Sequence, residues 1–160
     1  MSIYKNPAVD NAALPNATSV ADLAFNRFVY DLAGSYAPAA DSEKFKKDDR
    51  ILLGIIPAGH TLVPVLTRLS IPALESGTPA SDYQIGTEDD PDALKGTAAS
   101  ETPVVLFGED WNDPATPIGS PDEDVPIYLT FVTADHDATP NTGKIVFEPV
   151  YRAYREDIGG

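Results

Sequence analysis

Cysteine is absent from this 160-residue chain. There is therefore no disulfide framework, no thiol nucleophile and no Cys-ligated zinc or iron–sulfur centre. Tryptophan and methionine occur once each, and histidine twice, at His60 and His136. Two histidines in separate turn-rich stretches are a poor basis for a metal centre, which needs several His and carboxylate ligands brought together. Basic residues are scarce. Eleven Lys and Arg stand against 25 Asp and Glu, a formal net charge of −14. Nucleic-acid binding rests on cations that neutralise phosphates and release counterions, so no nucleic acid is expected as a partner. The imbalance is lopsided: residues 1–80 hold eight acids and seven bases, residues 81–160 seventeen acids and four bases. The second half would also be repelled by an anionic membrane surface. Long apolar runs are missing too. The longest, Ile51 to Ile56, contains Gly54 and falls far short of the ~20 residues that span a bilayer. Residues 1–10 show no apolar h-region, so no signal peptide is expected.

What is abundant is proline, with 15 copies, and short runs rich in Val, Ile, Leu, Phe and Tyr. Strands are expected at about 24–32, 50–56, 61–71, 81–86, 102–107, 125–134 and 144–154. Pro57-Ala58-Gly59 reads as a turn, and the runs on either side of it as a β-hairpin. Pro64 interrupts the second run and points to an edge or a bulge. The acidic stretch 87–101 reads as a loop with one turn of helix around 91–95, because proline suits a first helical position. Residues 35–49 read as a charge-mixed polar loop in which Lys44, Lys46 and Lys47 are solvated rather than an anion site. Seven or eight short strands, no long helix and Pro/Gly-rich connections predict an all-β protein. It would be a single β-sandwich or jelly-roll domain spanning 20–160. Residues 1–19, broken by Pro7 and Pro15, read as an extended N-terminal arm. Its isolated apolar residues Tyr4, Val9 and Leu14 would pack on their own domain or dock on a partner.

No catalytic constellation stands out. There is no G-x-S-x-G elbow and no glycine-rich phosphate cradle. The acidic clusters 88–92, 109–110, 122–124 and 135–137 hold enough oxygen ligands for calcium, yet none has the spacing of an EF-hand loop. They read as solubilising surface. Trp111, Tyr83 and Tyr128 offer aromatic faces on which sugar rings would stack. A carbohydrate-binding or host-attachment module is therefore the alternative to a structural role. No enzyme activity, cofactor or metal is expected.

Three stretches taken in order carry a resemblance. Asp48 to Leu74 (DDRILLGIIPAGHTLVPVLTRLSIPAL) holds an apolar run, an IPAG turn and a second run. Asp82 to Gly96 (DYQIGTEDDPDALKG) contains the pattern IGTxDDPD, and the last segment, Ile127 to Tyr154, contains GxIxxxxxY from Gly143 to Tyr151. This order resembles the head decoration, or cement, proteins of tailed bacteriophages. The resemblance implies a β-sandwich made in the host cytoplasm and carried on the capsid exterior of the virion. It further implies a homodimer or homotrimer that binds the major capsid protein and reinforces contacts between shell subunits. An arm bearing Tyr4, Val9 and Leu14 would dock by strand addition.

Overall fold

The computed structural model describes residues 1, 3–5, 23–33, 45–74, 82–99, 103–106, 117–132 and 143–154, with Lys5 and 16–20 as backbone only. Among the described residues fourteen strands form three sheets. They are β1 (Ile3–Lys5), β2 (Asn16–Val20), β3 (Leu23–Phe25), β4 (Phe28–Asp31), β5 (Arg50–Ile56), β6 (His60–Leu62), β7 (Arg68–Ile71), β8 (Asp82–Gly86), β9 (Lys95–Ala99), β10 (Val104–Leu106), β11 (Gly119–Ser120), β12 (Val125–Phe131), β13 (Lys144–Glu148) and β14 (Val150–Ala153). The only helical element among the described residues is a single 3₁₀ turn, Pro64–Leu66. The fold is an all-β sandwich.

The first layer is one five-stranded sheet in the order β1-β5-β12-β8-β9. Alternation sets its inner face: Ile127, Leu129 and Phe131 of β12 and Tyr83 and Ile85 of β8 are fully buried, while Tyr128 and Gln84 point outward. β5 carries one extra residue, since Ile127 pairs with Gly54 but Tyr128 with Leu52. This bulge changes the phase of β5 and turns Gly54 inward. A Cβ at Gly54 would lie 2.6 Å from Phe28 Cδ2 and 2.8 Å from Phe147 Cδ1. Those two rings stack, with centroids 6.3 Å apart. At Gly54 the rings of the second layer press onto the backbone of the first, and a missing side chain is what lets them.

The second layer comprises two sheets, β10-β7-β13-β4 and β11-β6-β14-β3-β2. They share three lengths of chain: β3 leads into β4, β6 into β7, and β13 into β14. All three break at the same level. Phe147 pairs with Phe28 and Leu69, and Tyr151 pairs with Ala24 and Leu62. Between these rungs lie three residues on two of the strands and six on the third, residues 63–68. The surplus is extruded as the 3₁₀ turn. Pro149 supplies no N–H, which is why the ladder is interrupted there. Asn26 N–H donates to Pro149 O (3.1 Å) and Val63 N–H to Val150 O (2.7 Å), which stitches the gap. The fully buried Thr67 completes it: its hydroxyl donates to Val63 O (2.9 Å) and accepts from Val150 N–H (3.1 Å).

Several expectations need correction. Residues 24–32, 61–71 and 144–154 are each two strands, for the reason just given. The expected hairpin is absent. The turn itself forms, with His60 N–H on Pro57 O (3.1 Å) and Gly59 at φ +76°, but β5 belongs to the first sheet and β6 to the third. Gly59 bonds instead to Ser120 O and receives Tyr154 N–H. The turn is a corner between layers. Residues 91–94 form turns rather than helix, and β9 occupies part of the expected acidic loop. Phe45, placed in a polar loop by its neighbours, is fully buried. A tight turn delivers it: Asp49 N–H bonds to Lys46 O, and the Asp49 carboxylate accepts from Lys46 N–H (2.9 Å).

Candidate interaction surfaces

Each N-terminal and aromatic residue singled out above has its own fate. Tyr4 sits in β1, which adds in parallel to the edge of β5. Its ring meets Phe45 edge-on (4.9 Å, 85°), and Phe45 stacks on Phe131 (5.0 Å, 26°). Val9, Leu14 and Trp111 lie outside the described residues, as do Lys44 and His136. Tyr83 is buried against the core, so its ring presents no face to a ligand. Its hydroxyl has no hydrogen-bond partner among the described residues, and burial pushes its pKa well above the usual tyrosine value. Tyr128 is half-buried on the outer face, and the Arg50 guanidinium lies over its ring, 5.4 Å from the centroid. Arg50 also pairs with Glu88 (3.4 Å). That face of Tyr128 is therefore occupied. Of the three candidate stacking residues the described pair, Tyr83 and Tyr128, lie on opposite faces of the first sheet. The described residues contain no group of three or more His, Asp or Glu arranged to hold a metal ion.

Two surfaces do emerge. One is an acidic end of the sandwich. β8 runs antiparallel to β12, and β5 likewise. The end of β8, the end of β5 and the start of β12 therefore share one end of the first sheet. The turns that leave there hold Glu88, Asp89, Asp90, Asp92, Asp122, Glu123 and Asp124. The local folds are specific. Ser120 Oγ accepts the N–H groups of Asp122 and Glu123 (3.3 and 3.2 Å), and Asp124 accepts from Ala58 N–H (2.9 Å). In the other turn, Thr87 N–H donates to Asp90 O (2.9 Å) and Asp90 N–H to Thr87 Oγ1 (3.0 Å). This turn folds back onto Gly86, where a Cβ would collide with the Asp90 carbonyl oxygen and Pro91. The IGTxDDPD pattern thus has a steric reason for its glycine.

The other surface lies on the outer face of the second layer, at the level where the strands break. Phe25 pairs across to Val150, and Val63 bonds to Val150 from the other side. The extruded 3₁₀ turn adds Val65 and Leu66, both exposed, as Phe25 is. Beside them Glu148 receives two arginines, Arg27 Nε at 3.3 Å on one oxygen and Arg68 at 3.2 Å on the other. Sequence reading missed this surface, because Val65 and Leu66 look like interior strand residues. Pro64 was the one signal that the strand stops there.

No protein-family model matches the chain, and no curated protein matches it by sequence. Solved structures do. A chain in the capsid of Ralstonia phage GP4 superposes with a TM-score of 0.63 at 13% identity, over 97% of this chain and 100% of that one. A chain in the capsid asymmetric unit of cyanophage Pam1 superposes with a TM-score of 0.53 at 9% identity, over 93% and 100%. At such identities the likeness is one of fold, and it runs nearly end to end: this chain shares its sandwich with subunits seen in two phage capsids.

Proposed function

We propose that the chain is a non-enzymatic structural subunit of a phage capsid, a decoration protein that binds the outer surface of the head and reinforces contacts between major capsid proteins. The observation that carries this reading is the end-to-end likeness to the two capsid chains. Both are matched over their full length by a chain of 160 residues. Each is therefore itself a small subunit, of the size of an accessory protein. The order of the IPAG, IGTxDDPD and GxIxxxxxY segments points the same way. An acidic end suits an exterior position, away from packaged DNA.

The N-terminal segment is proposed as part of the docking apparatus. Tyr4 is the root of the arm, held on Phe45, and Val9 and Leu14 are the apolar groups that reach the shell. Many weak copies on one lattice hold firmly through avidity. The test is co-sedimentation of the purified chain with heads that lack it, followed by a heat challenge. The expected result is saturable binding and a higher temperature of head disruption. Val9→Asp together with Leu14→Asp, which spares β1 and β2, is expected to abolish binding without changing the far-UV β spectrum. Heads that bind nothing and melt unchanged would overturn the reading. Binding that survives the double substitution would remove the arm from it.

A further inference from the structure

The first sheet ends in a strand unlike its neighbours. β1 is three residues long and outermost, and its pairing with Arg50, Ile51 and Leu52 is the one parallel pairing among the described residues. Parallel ladders are the weaker kind per residue. Ile3 is 47% exposed, and the group β1 sends toward the core is the half-buried Tyr4, edge-on to Phe45 at 4.9 Å. Phe45 belongs to no strand. It is carried by the 46–49 turn, and that turn is fastened to the end of β12: Asp48 N–H donates to Phe131 O (2.8 Å) and Phe131 N–H to Asp49 O (3.1 Å). Within the turn the buried Asp49 carboxylate accepts from Lys46 N–H (2.9 Å), and Asp48 stands at φ +70°, a region that aspartate enters more readily than most residues.

We propose that β1 is a releasable strap, latched by the Phe45 ring, with Asp49 as the residue that positions the latch. A short strand that buries one side chain opens at far lower cost than the sheet that receives it. Opening changes what the N-terminal segment can reach. β1 and β2 pin the chain at two points in different layers, and ten residues, 6–15, join them. Pinned at both ends, that length reaches about 18 Å, half its contour, whereas with β1 released the fifteen residues ahead of Asn16 reach about 50 Å. The strap therefore sets the reach of the N-terminal segment without any change in the sandwich. The inference concerns the free chain and is independent of whether it binds a shell.

The experiment is native-state hydrogen exchange with mass spectrometry on the purified full chain, with no heads present. It compares peptides covering β1 with peptides covering β13 and β14 of the second layer. In the wild-type chain β1 is expected to exchange at least about tenfold faster than β13, yet slower than an unfolded peptide. Asp49→Ala should bring β1 to the unfolded rate while β13 and β14 keep theirs. Asp49→Asn, which retains an oxygen for the Lys46 N–H, should restore most of the protection. Tyr4→Ala removes the latched ring without touching the turn and should also free β1. Four results would overturn the strap: a wild-type β1 that opens only together with β13, a wild-type β1 as fast as an unfolded peptide, a β1 whose protection survives both Asp49→Ala and Tyr4→Ala, or an Asp49→Ala chain in which β13 loses protection along with β1.

Discussion

The two layers of the sandwich are held by different physics. The first is built on β5 and β12, each seven residues long, and its stability lies in apolar side chains buried on one face. The second is built on three lengths of chain that stop and restart together. There the main-chain ladder fails at Pro149, and the gap is closed by particular polar groups, Thr67 and the Arg27–Glu148–Arg68 cluster. A packed face tolerates many exchanges of similar volume. A gap closed by one hydroxyl does not tolerate the loss of that hydroxyl. The interruption also creates an outward surface on which exposed Phe25, Val65 and Leu66 lie beside arginines. This exposed apolar surface is thus a by-product of how the second layer solves its backbone problem.

The largest effect should come where the layers meet. Gly54→Val would drive methyl groups into the Phe28 and Phe147 rings, and should cost about 3 kcal/mol, read as a lowered urea midpoint. A variant of wild-type stability would mean the layers are not in contact there. Next is Thr67→Val, which keeps the shape and removes the hydroxyl. It strands the Val150 N–H, whereas the Val63 carbonyl keeps the Leu66 N–H (3.1 Å), and should cost about 2 kcal/mol. A neutral result would show that the break is stitched by other groups.

Two fully buried tyrosines, Tyr83 in the first layer and Tyr151 in the second, sharpen the comparison further. Tyr151 donates to Ile55 O at 3.0 Å, so Tyr151→Phe should lose about 1 kcal/mol. The Tyr83 hydroxyl has no hydrogen-bond partner among the described residues, so Tyr83→Phe should be neutral or stabilising by about 1 kcal/mol. Burial raises the pKa of both hydroxyls well above the ordinary value. The folded state therefore holds these protons more firmly than the unfolded chain. Their contribution is complete below the unfolded value of about 10 and is lost as pH rises beyond it. Alkaline unfolding should shift to higher pH in Tyr83→Phe, as monitored by fluorescence. The smallest effect is expected for Glu148→Ala. It removes two half-exposed ion pairs, worth about 0.5–1 kcal/mol together, and the loss should shrink as salt is added.

Much of the first layer was legible. Residues 50–56, 82–86 and 125–131 announce themselves through density of branched and aromatic side chains, because a half-buried pleated surface selects those residues. β9 was not, since Lys95, Gly96, Thr97, Ala98 and Ala99 carry little strand preference. It forms through pairing with β8, a tertiary cause. The hairpin failed for a related reason: the turn chemistry at 57–60 is local, but which sheet receives β6 is decided by Tyr151 and Arg152, far along the chain. Phe45 was lost among lysines and aspartates, although a lone aromatic in a polar stretch is a fair signal of an anchor. Of the surfaces, the acidic end could be read from composition. The break surface could not, because it needs three strands to stop at one level, and only Pro64 and Pro149 hint at it.

The most direct test of the account is a cryo-electron reconstruction of heads assembled with and without this chain. Added density on the outer surface, shaped as a sandwich of this size and repeating with the lattice, is the expected result. An outer surface identical in the two reconstructions, or new density confined to the interior beside the DNA, would contradict it.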